Sequence, residues 1–129
     1  MDEKYKELVN LAIEAMNNAY VPYSKYKVGA ALLTNSNNIY TGCNIENASY
    51  GLSICAERTA ILKAISEGER KIKVLAVTVS SDEYANPCGA CRQVMTEFMD
   101  EEAIILLSDK EGNYIVKTVG ELLPNAFKL

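Results

Sequence analysis

The sequence predicts an α/β fold of three layers, α/β/α, in which helices cover both faces of a mixed five-stranded sheet. Three observations carry that expectation. One amphipathic helical period precedes all the strands, strands and helices then alternate, and the last two strands follow each other too closely to admit a crossover helix. Alternation implies parallel, right-handed crossovers, whereas the short final connection implies an antiparallel pair, so the sheet must be mixed.

The elements follow in chain order. Over residues 4–19, Tyr5, Leu8, Val9, Ala12, Met16 and Ala19 recur at three- and four-residue steps, the signature of one buried helix face. Pro22 breaks that period. Residues 27–34 read as a buried strand whose Gly29-Ala30-Ala31 run allows another backbone to come close. Asn35-Ser36-Asn37-Asn38 is a turn and residues 39–43 a second strand, so these two form a hairpin. Residues 44–54 are irregular. Helical period returns over 55–66 through Ala56, Ala60, Ile61 and Ala64, with Gly68 as the stop signal. Residues 74–80 are a β-branched strand, 81–87 a loop, and 89–99 a further helix. Residues 103–107 and 114–117 are the final strands, joined by the polar stretch 109–113.

A chain of 129 residues fits one domain, 1–129, with enough length to bury roughly two thirds of the surface its unfolded form would expose. Hydrophobic residues make up 49% and charged residues 23%, a globular rather than a disordered balance. Asp and Glu number 17 against 13 Lys and Arg, and no basic run is present, so a nucleic acid polymer is not an expected partner. The start, Met1-Asp2-Glu3-Lys4, lacks an apolar signal core, and no apolar run approaches the ~18 residues of a membrane span. The expectation is a cytoplasmic protein with no membrane partner, in a reducing compartment that keeps its four cysteines as thiols.

The chemistry is concentrated in two short segments. Cys55 and Glu57 stand two apart at the start of one predicted helix, and Pro87-Cys88-Gly89-Ala90-Cys91 opens another. With no histidine in the chain, a transition-metal site must rest on thiolates, which suit tetrahedral zinc. Cys55, Cys88 and Cys91 as ligands would leave the fourth position free for water. A helix N-terminus favours the thiolate form, so both ligand segments sit where that help exists. Three thiolates on a divalent cation leave a net negative charge, and Arg58 is the first choice to offset it, with Arg92 the other candidate. Glu57, a carboxylate beside a ligand but not itself one, suits proton transfer between water and substrate.

Four separated motifs together resemble the cytidine deaminases, specifically the short, three-cysteine, homotetrameric kind. They are Pro22-Tyr23-Ser24-Lys25-Tyr26 with Val28-Gly29-Ala30-Ala31, then Gly42-Cys43-Asn44-Ile45-Glu46-Asn47-Ala48-Ser49-Tyr50, Cys55-Ala56-Glu57-Arg58, and Pro87-Cys88-Gly89-Ala90-Cys91-Arg92-Gln93. The last two are the zinc-deaminase pattern with cysteine where its first ligand is often histidine. The resemblance implies one zinc per chain and hydrolytic deamination of cytidine and 2′-deoxycytidine to the uridines, with release of ammonia. It assigns ribose recognition to Asn44 and Glu46, stacking on the base to Tyr26, and contact with the base carbonyl to the amide of Ala56. Tyr50 is implied near the sugar at an interface. Phe127 is implied to stack from a neighbouring subunit of a homotetramer with shared active sites.

Two other readings of these residues stay open at this point. A sibling aminohydrolase could act on a cytosine-containing antibiotic or a free nucleobase, although Asn44 and Glu46 argue for a sugar. Alternatively Cys43 could join the other three thiols and close a structural four-cysteine site.

Overall fold

The computed structural model describes residues 2–129, which leaves Met1, the first residue of the acidic start, outside the description. Among the described residues, four α-helices, α1 (Asp2–Met16), α2 (Ala56–Ser66), α3 (Gly89–Phe98) and α4 (Val119–Leu122), accompany five strands. The strands are β1 (Val28–Thr34), β2 (Ile39–Cys43), β3 (Ile72–Val79), β4 (Ile104–Ser108) and β5 (Tyr114–Thr118), in the spatial order β2-β1-β3-β4-β5. The mixed five-stranded α/β architecture matches the expectation from the sequence.

β1 runs antiparallel to both of its neighbours, β2 and β3, so β2 and β3 are parallel to each other with β1 between them. β3 and β4 pair in parallel, and β4 and β5 antiparallel. Both parallel relations are bridged by a helix, α2 in the first case and α3 in the second.

The two faces of the sheet read directly from the period of two along each strand. Ala31 and Leu33 of β1, Val74 and Ala76 of β3 and Leu106 of β4 pack with Leu8, Val9 and Ala12 of α1. Their alternates, Ala30, Leu32, Leu75, Val77, Ile105 and Leu107, pack with Ala60, Ile61 and Ala64 of α2 and Met95 of α3. Two glycines set how closely the layers approach. A Cβ on Gly29 would meet the backbone nitrogen of Met16 at 2.7 Å, and one on Gly42 would meet that of Ala60 at 2.6 Å. Gly42 thus lets α2 lie directly on β2, which brings the start of α2 to that end of the sheet.

Several boundaries differ from the sequence reading. α1 stops at Met16 rather than at residue 19, because Asn17 and Asn18 turn the chain by bonds to the carbonyls of Glu14 and Ala15. These are main-chain bonds of the i to i−3 kind, continued by Ala19 to Met16, which tighten the last turn and end the helix without glycine or proline. β3 begins at Ile72, two residues early, because a register shift at Leu33 and Thr34 lets Thr34 pair with Ile72. Within the irregular 44–54 stretch lie a 3-10 turn, Tyr50–Leu52, and bridges from Ile45 to Tyr20 and Ile54. α4 was not anticipated, yet its start is a capping box in which Thr118 and Glu121 satisfy each other's amides.

Candidate active site

The register Val28 to Val79 and Gly29 to Cys43 puts the start of β1 and the ends of β2 and β3 at one edge of the sheet. Beyond that edge the chain leaves β2 and β3 through loops that end at the N-termini of α2 and α3. Open α/β sheets bind ligands outside the carboxyl ends of their strands, where such loops diverge. A cleft of about 520 Å³ lies there, within the roughly 300–1,000 Å³ usual for small-molecule sites.

Cys55 is the N-cap of α2 and Cys88 the N-cap of α3, and neither uses its side chain to cap the helix. Cys91, one turn into α3, is fully buried. The three sulfurs lie within 4.8 Å of one another, and Sγ of Cys55 is 3.9 Å from Sγ of Cys88. Tetrahedral thiolates at about 2.3 Å from a common zinc stand ~3.8 Å apart, so this spacing fits the metal. Among the described residues these three form the metal-capable cluster, which includes neither Cys43 nor Glu57. Cys43 ends β2 as a free, half-buried thiol.

Electrostatics favour at least one thiolate. The Cys55 thiol is held well below the usual range by hydrogen bonding within the cluster, chiefly to Cys91, and by Arg58, whose Nη2 donates to its sulfur at 3.4 Å. The reciprocal interaction with Cys55, with burial, pushes Cys91 up. The bond to Cys55 in turn raises Arg58 further. Nε of Arg58 is buried without a partner, an orphaned donor on the thiol side of the cleft. Arg92 does not approach the sulfurs in this way, since its guanidinium is engaged by oxygen acceptors.

Glu57 is only 4% exposed. Burial pushes its carboxyl up to about 7, with the neighbouring Cys55 charge adding to the effect. A group with that value exchanges protons readily near neutrality. Ala56, the first residue of α2, has no helical carbonyl for its N–H, which is therefore free to donate elsewhere.

Tyr26, Asn44, Glu46, Tyr50, Ala56 and Arg58 line the same cleft as Cys55, Glu57 and Cys88. Asn44 and Glu46 have additional partners that the sequence reading did not foresee. Oδ1 of Asn44 accepts from the amide of Val28 and its Nδ2 donates to the carbonyl of Tyr26, each at 2.9 Å. Oε1 of Glu46 accepts from the amides of Tyr23 and Ser24, each at 3.1 Å. The two side chains therefore hold the 23–28 segment that carries Tyr26, including Lys25 at φ 63°. Phe127 lies outside the cleft of its own chain and is 70% exposed, with its carbonyl accepting from Nε2 of Gln93. Glu83, Tyr84 and Asn86 also line the cleft and were missed. They belong to the loop between β3 and α3, where neither periodicity nor spacing marks a residue.

The family described as the cytidine and deoxycytidylate deaminase zinc-binding region matches residues 2–107 of the chain. The chain belongs to the cytidine and deoxycytidylate deaminase family. A cytidine deaminase of Halalkalibacterium halodurans is 50% identical over 120 residues, covering 93% of this chain and 91% of that protein. A probable cytidine deaminase of Dictyostelium discoideum is 42% identical over 126 residues, covering 97% and 84%. Among solved structures, the cytidine deaminase of Burkholderia pseudomallei superposes with a TM-score of 0.90 at 46% identity, covering 94% of this chain and 97% of that one. That of Mycobacterium tuberculosis gives 0.83 at 39% identity, covering 97% and 98%. Like them, the chain is an enzyme of the cytidine deaminase kind. No helix among its described residues is long and apolar enough to cross a membrane.

Proposed function

We propose that this enzyme deaminates cytidine and 2′-deoxycytidine hydrolytically to uridine and 2′-deoxyuridine, releasing ammonia, as a cytoplasmic step of pyrimidine salvage. The observation that carries the reading is the buried Glu57 carboxyl, pushed up to about 7, beside three thiols spaced for zinc in one cleft. Cys55, Cys88 and Cys91 would hold one zinc per chain. Bound there, the metal supplies Lewis acidity that makes water a nucleophile near neutral pH.

The chain's own residues account for the remaining work. Glu57 takes a proton from water, delivers it to N3 of the base, and then assists departure of the amine. Arg58 draws charge from the thiolates through its bond to Cys55. The free N–H of Ala56 donates to the base carbonyl. Oε2 of Glu46 and the remaining hydrogen-bonding capacity of Asn44 engage a sugar hydroxyl, which a free base would leave unpaired. Tyr26, 45% exposed at the mouth, stacks on the base, while Tyr50 lies beside the sugar. Phe127 serves a neighbouring chain's cleft, so the active species is an oligomer, and the resemblance to the family makes it a homotetramer. Its exposure, and its exclusion from its own cleft, support that assignment.

The test is absorbance-monitored turnover of cytidine, 2′-deoxycytidine and free cytosine by purified protein, with zinc and ammonia measured on the same sample. Turnover of both nucleosides, one ammonia per uridine and about one zinc per chain would agree with the proposal. Full zinc with cytosine as the better substrate would overturn the nucleoside assignment.

A further inference from the structure

Arg92 follows the buried Cys91 in the first turn of α3, and its guanidinium donates to three oxygens on two segments of the chain at once. Nε reaches the carbonyl of Pro87 at 2.8 Å, Nη1 the carbonyl of Leu122 at 2.8 Å, and Nη2 reaches Oδ1 of Asn86 at 2.5 Å. The side chain is half-buried. Pro87 O belongs to the peptide unit that joins Pro87 to Cys88, so that bond fixes the plane from which the Cys88 thiol projects. Asn86 and Pro87 are also part of the cleft wall.

The third acceptor belongs to a different region. Leu122 ends α4, and the following residues 123–127 run on without regular structure, turning at Asn125 with φ 56°. Gln93, the next residue of α3, holds the far end of this strap through its bond to the Phe127 carbonyl at 3.1 Å. Two adjacent side chains of the metal-site helix therefore clamp both ends of the C-terminal strap.

We propose that Arg92 is a positioning residue that locks the Asn86-Pro87 wall, and through it the Cys88 thiol, to the C-terminal strap, with Gln93 holding the strap's distal end. A planar fork with fixed donor directions can serve three oxygens together, whereas a lysine ammonium on a flexible stem cannot hold the same three. Arg58 bonds to sulfur and Arg92 to the backbone that carries it, so the two arginines divide charge and position between them. This places the strap under the control of the metal-site helix. The zinc-release arm of the test rests on the function proposed above, while the strap arm does not.

Arg92→Lys and Gln93→Leu, compared with the wild-type enzyme, test the assignment. Loss of a partner that orients a metal ligand costs roughly 10- to 100-fold in metal affinity, so Arg92→Lys should release zinc to a chelator faster by a factor in that range. In the same variant, amide order parameters at Asn125, Ala126 and Phe127 should fall from about 0.85 towards 0.6 or below. Gln93→Leu should loosen Ala126 and Phe127 only and leave zinc release unchanged. Unchanged zinc release in Arg92→Lys, or an unchanged strap, overturns the coupling. A uniform loss of order throughout the chain does so as well, because it would make Arg92 a general stabiliser. Should Arg92→Lys not fold, Asn86→Ala removes one acceptor and must speed zinc release without loosening the strap. If purified wild-type protein holds no zinc, the alkylation rate of Cys88 relative to Cys43 replaces the chelator readout and must rise in Arg92→Lys. Failure of the metal assignment is thereby kept apart from failure of the clamp.

Discussion

The floor and the rim of the cleft each carry a glutamate, and the two are treated in opposite ways. Glu57 on the floor is buried beside thiols, and desolvation pushes its carboxyl up to about 7. Glu46 at the rim accepts hydrogen bonds from Ser24 and from the amides of Ser24 and Tyr23, which hold its carboxyl below the usual value. One environment keeps a proton available near neutrality, and the other keeps a fixed negative acceptor. Identical side chains thus become a carboxyl that holds its proton to near neutrality and a charged anchor for a loop, according to what surrounds them, which suits the first to the proton transfer proposed for it.

The comparison is broken most severely at the floor. Glu57→Gln should retain metal and fold yet lower turnover roughly a hundred- to ten-thousand-fold, since the amide cannot carry the proton. Paired kcat and zinc measurements on one preparation check this, and turnover within a few-fold of wild type would remove Glu57 from proton transfer.

At the rim, Glu46→Ala frees the amides of Tyr23 and Ser24 and releases the segment that bears Tyr26. The expected result is a KM for cytidine raised about tenfold or more, from loss of one charge-assisted bond and of the ordered loop. An unaltered KM would show that the rim needs no anchor.

The two carboxylates also tilt stability in opposite directions with pH. Because the native value of Glu57 is raised above the ~4.3 of an unfolded chain, its contribution is full below ~4.3 and fades as pH rises through about 7. The native value of Glu46 is lowered, so its contribution is present above ~4.3 and fades as pH falls through the lower native value. In metal-free protein, the difference in thermal midpoint between wild type and Glu57→Gln should therefore shift against wild type on going from pH 5 to pH 8 by way of about 7. For Glu46→Gln the wild-type advantage should shrink on acidification below ~4.3. Parallel pH profiles for the two variants would contradict the contrast.

The smallest effect is expected just outside the floor. Cys43→Ser should leave zinc content unchanged and alter stability by about 1 kcal/mol or less, because this half-buried thiol is not in the metal-capable cluster. Loss of zinc would revive the four-cysteine site.

How much of this was readable in advance follows from the range of the interactions. Cys55 with Glu57, and Cys88 with Cys91, are local patterns at helix starts, and local periodicity located both helices. The strand order was not readable to the same degree. That β1 separates β2 from β3 depends on pairing between residues far apart, such as Val28 with Val79, and no local signal encodes it. Ala19 continues the apolar period of α1 in the sequence, whereas the helix ends at Met16 where the backbone tightens into i to i−3 bonds, a change that the apolar period does not mark. Thr118 and Glu121 did carry a legible capping signal, three residues apart, that went unused. Asn44 and Glu46 were identifiable as cleft residues through family resemblance, but their hold on residues 23–28 appears only when those segments meet in space. Glu83, Tyr84 and Asn86 had no mark of any kind in a loop free to vary.

Cys55 and Cys88 meet although they stand 33 positions apart in the chain, and the residues between them include all of α2 and β3. During synthesis, the first thiol therefore emerges from the ribosome well before its partners exist. Until Cys88 and Cys91 follow, the Cys55 thiol lacks the cluster contacts that depress it, and the chain has no competent metal trap. Completion of the trap requires the start of α3 to dock beside the start of α2, a contact between distant parts of the chain and so of a class that is slow to form. Metal capture would then mark the end of folding rather than guide its beginning.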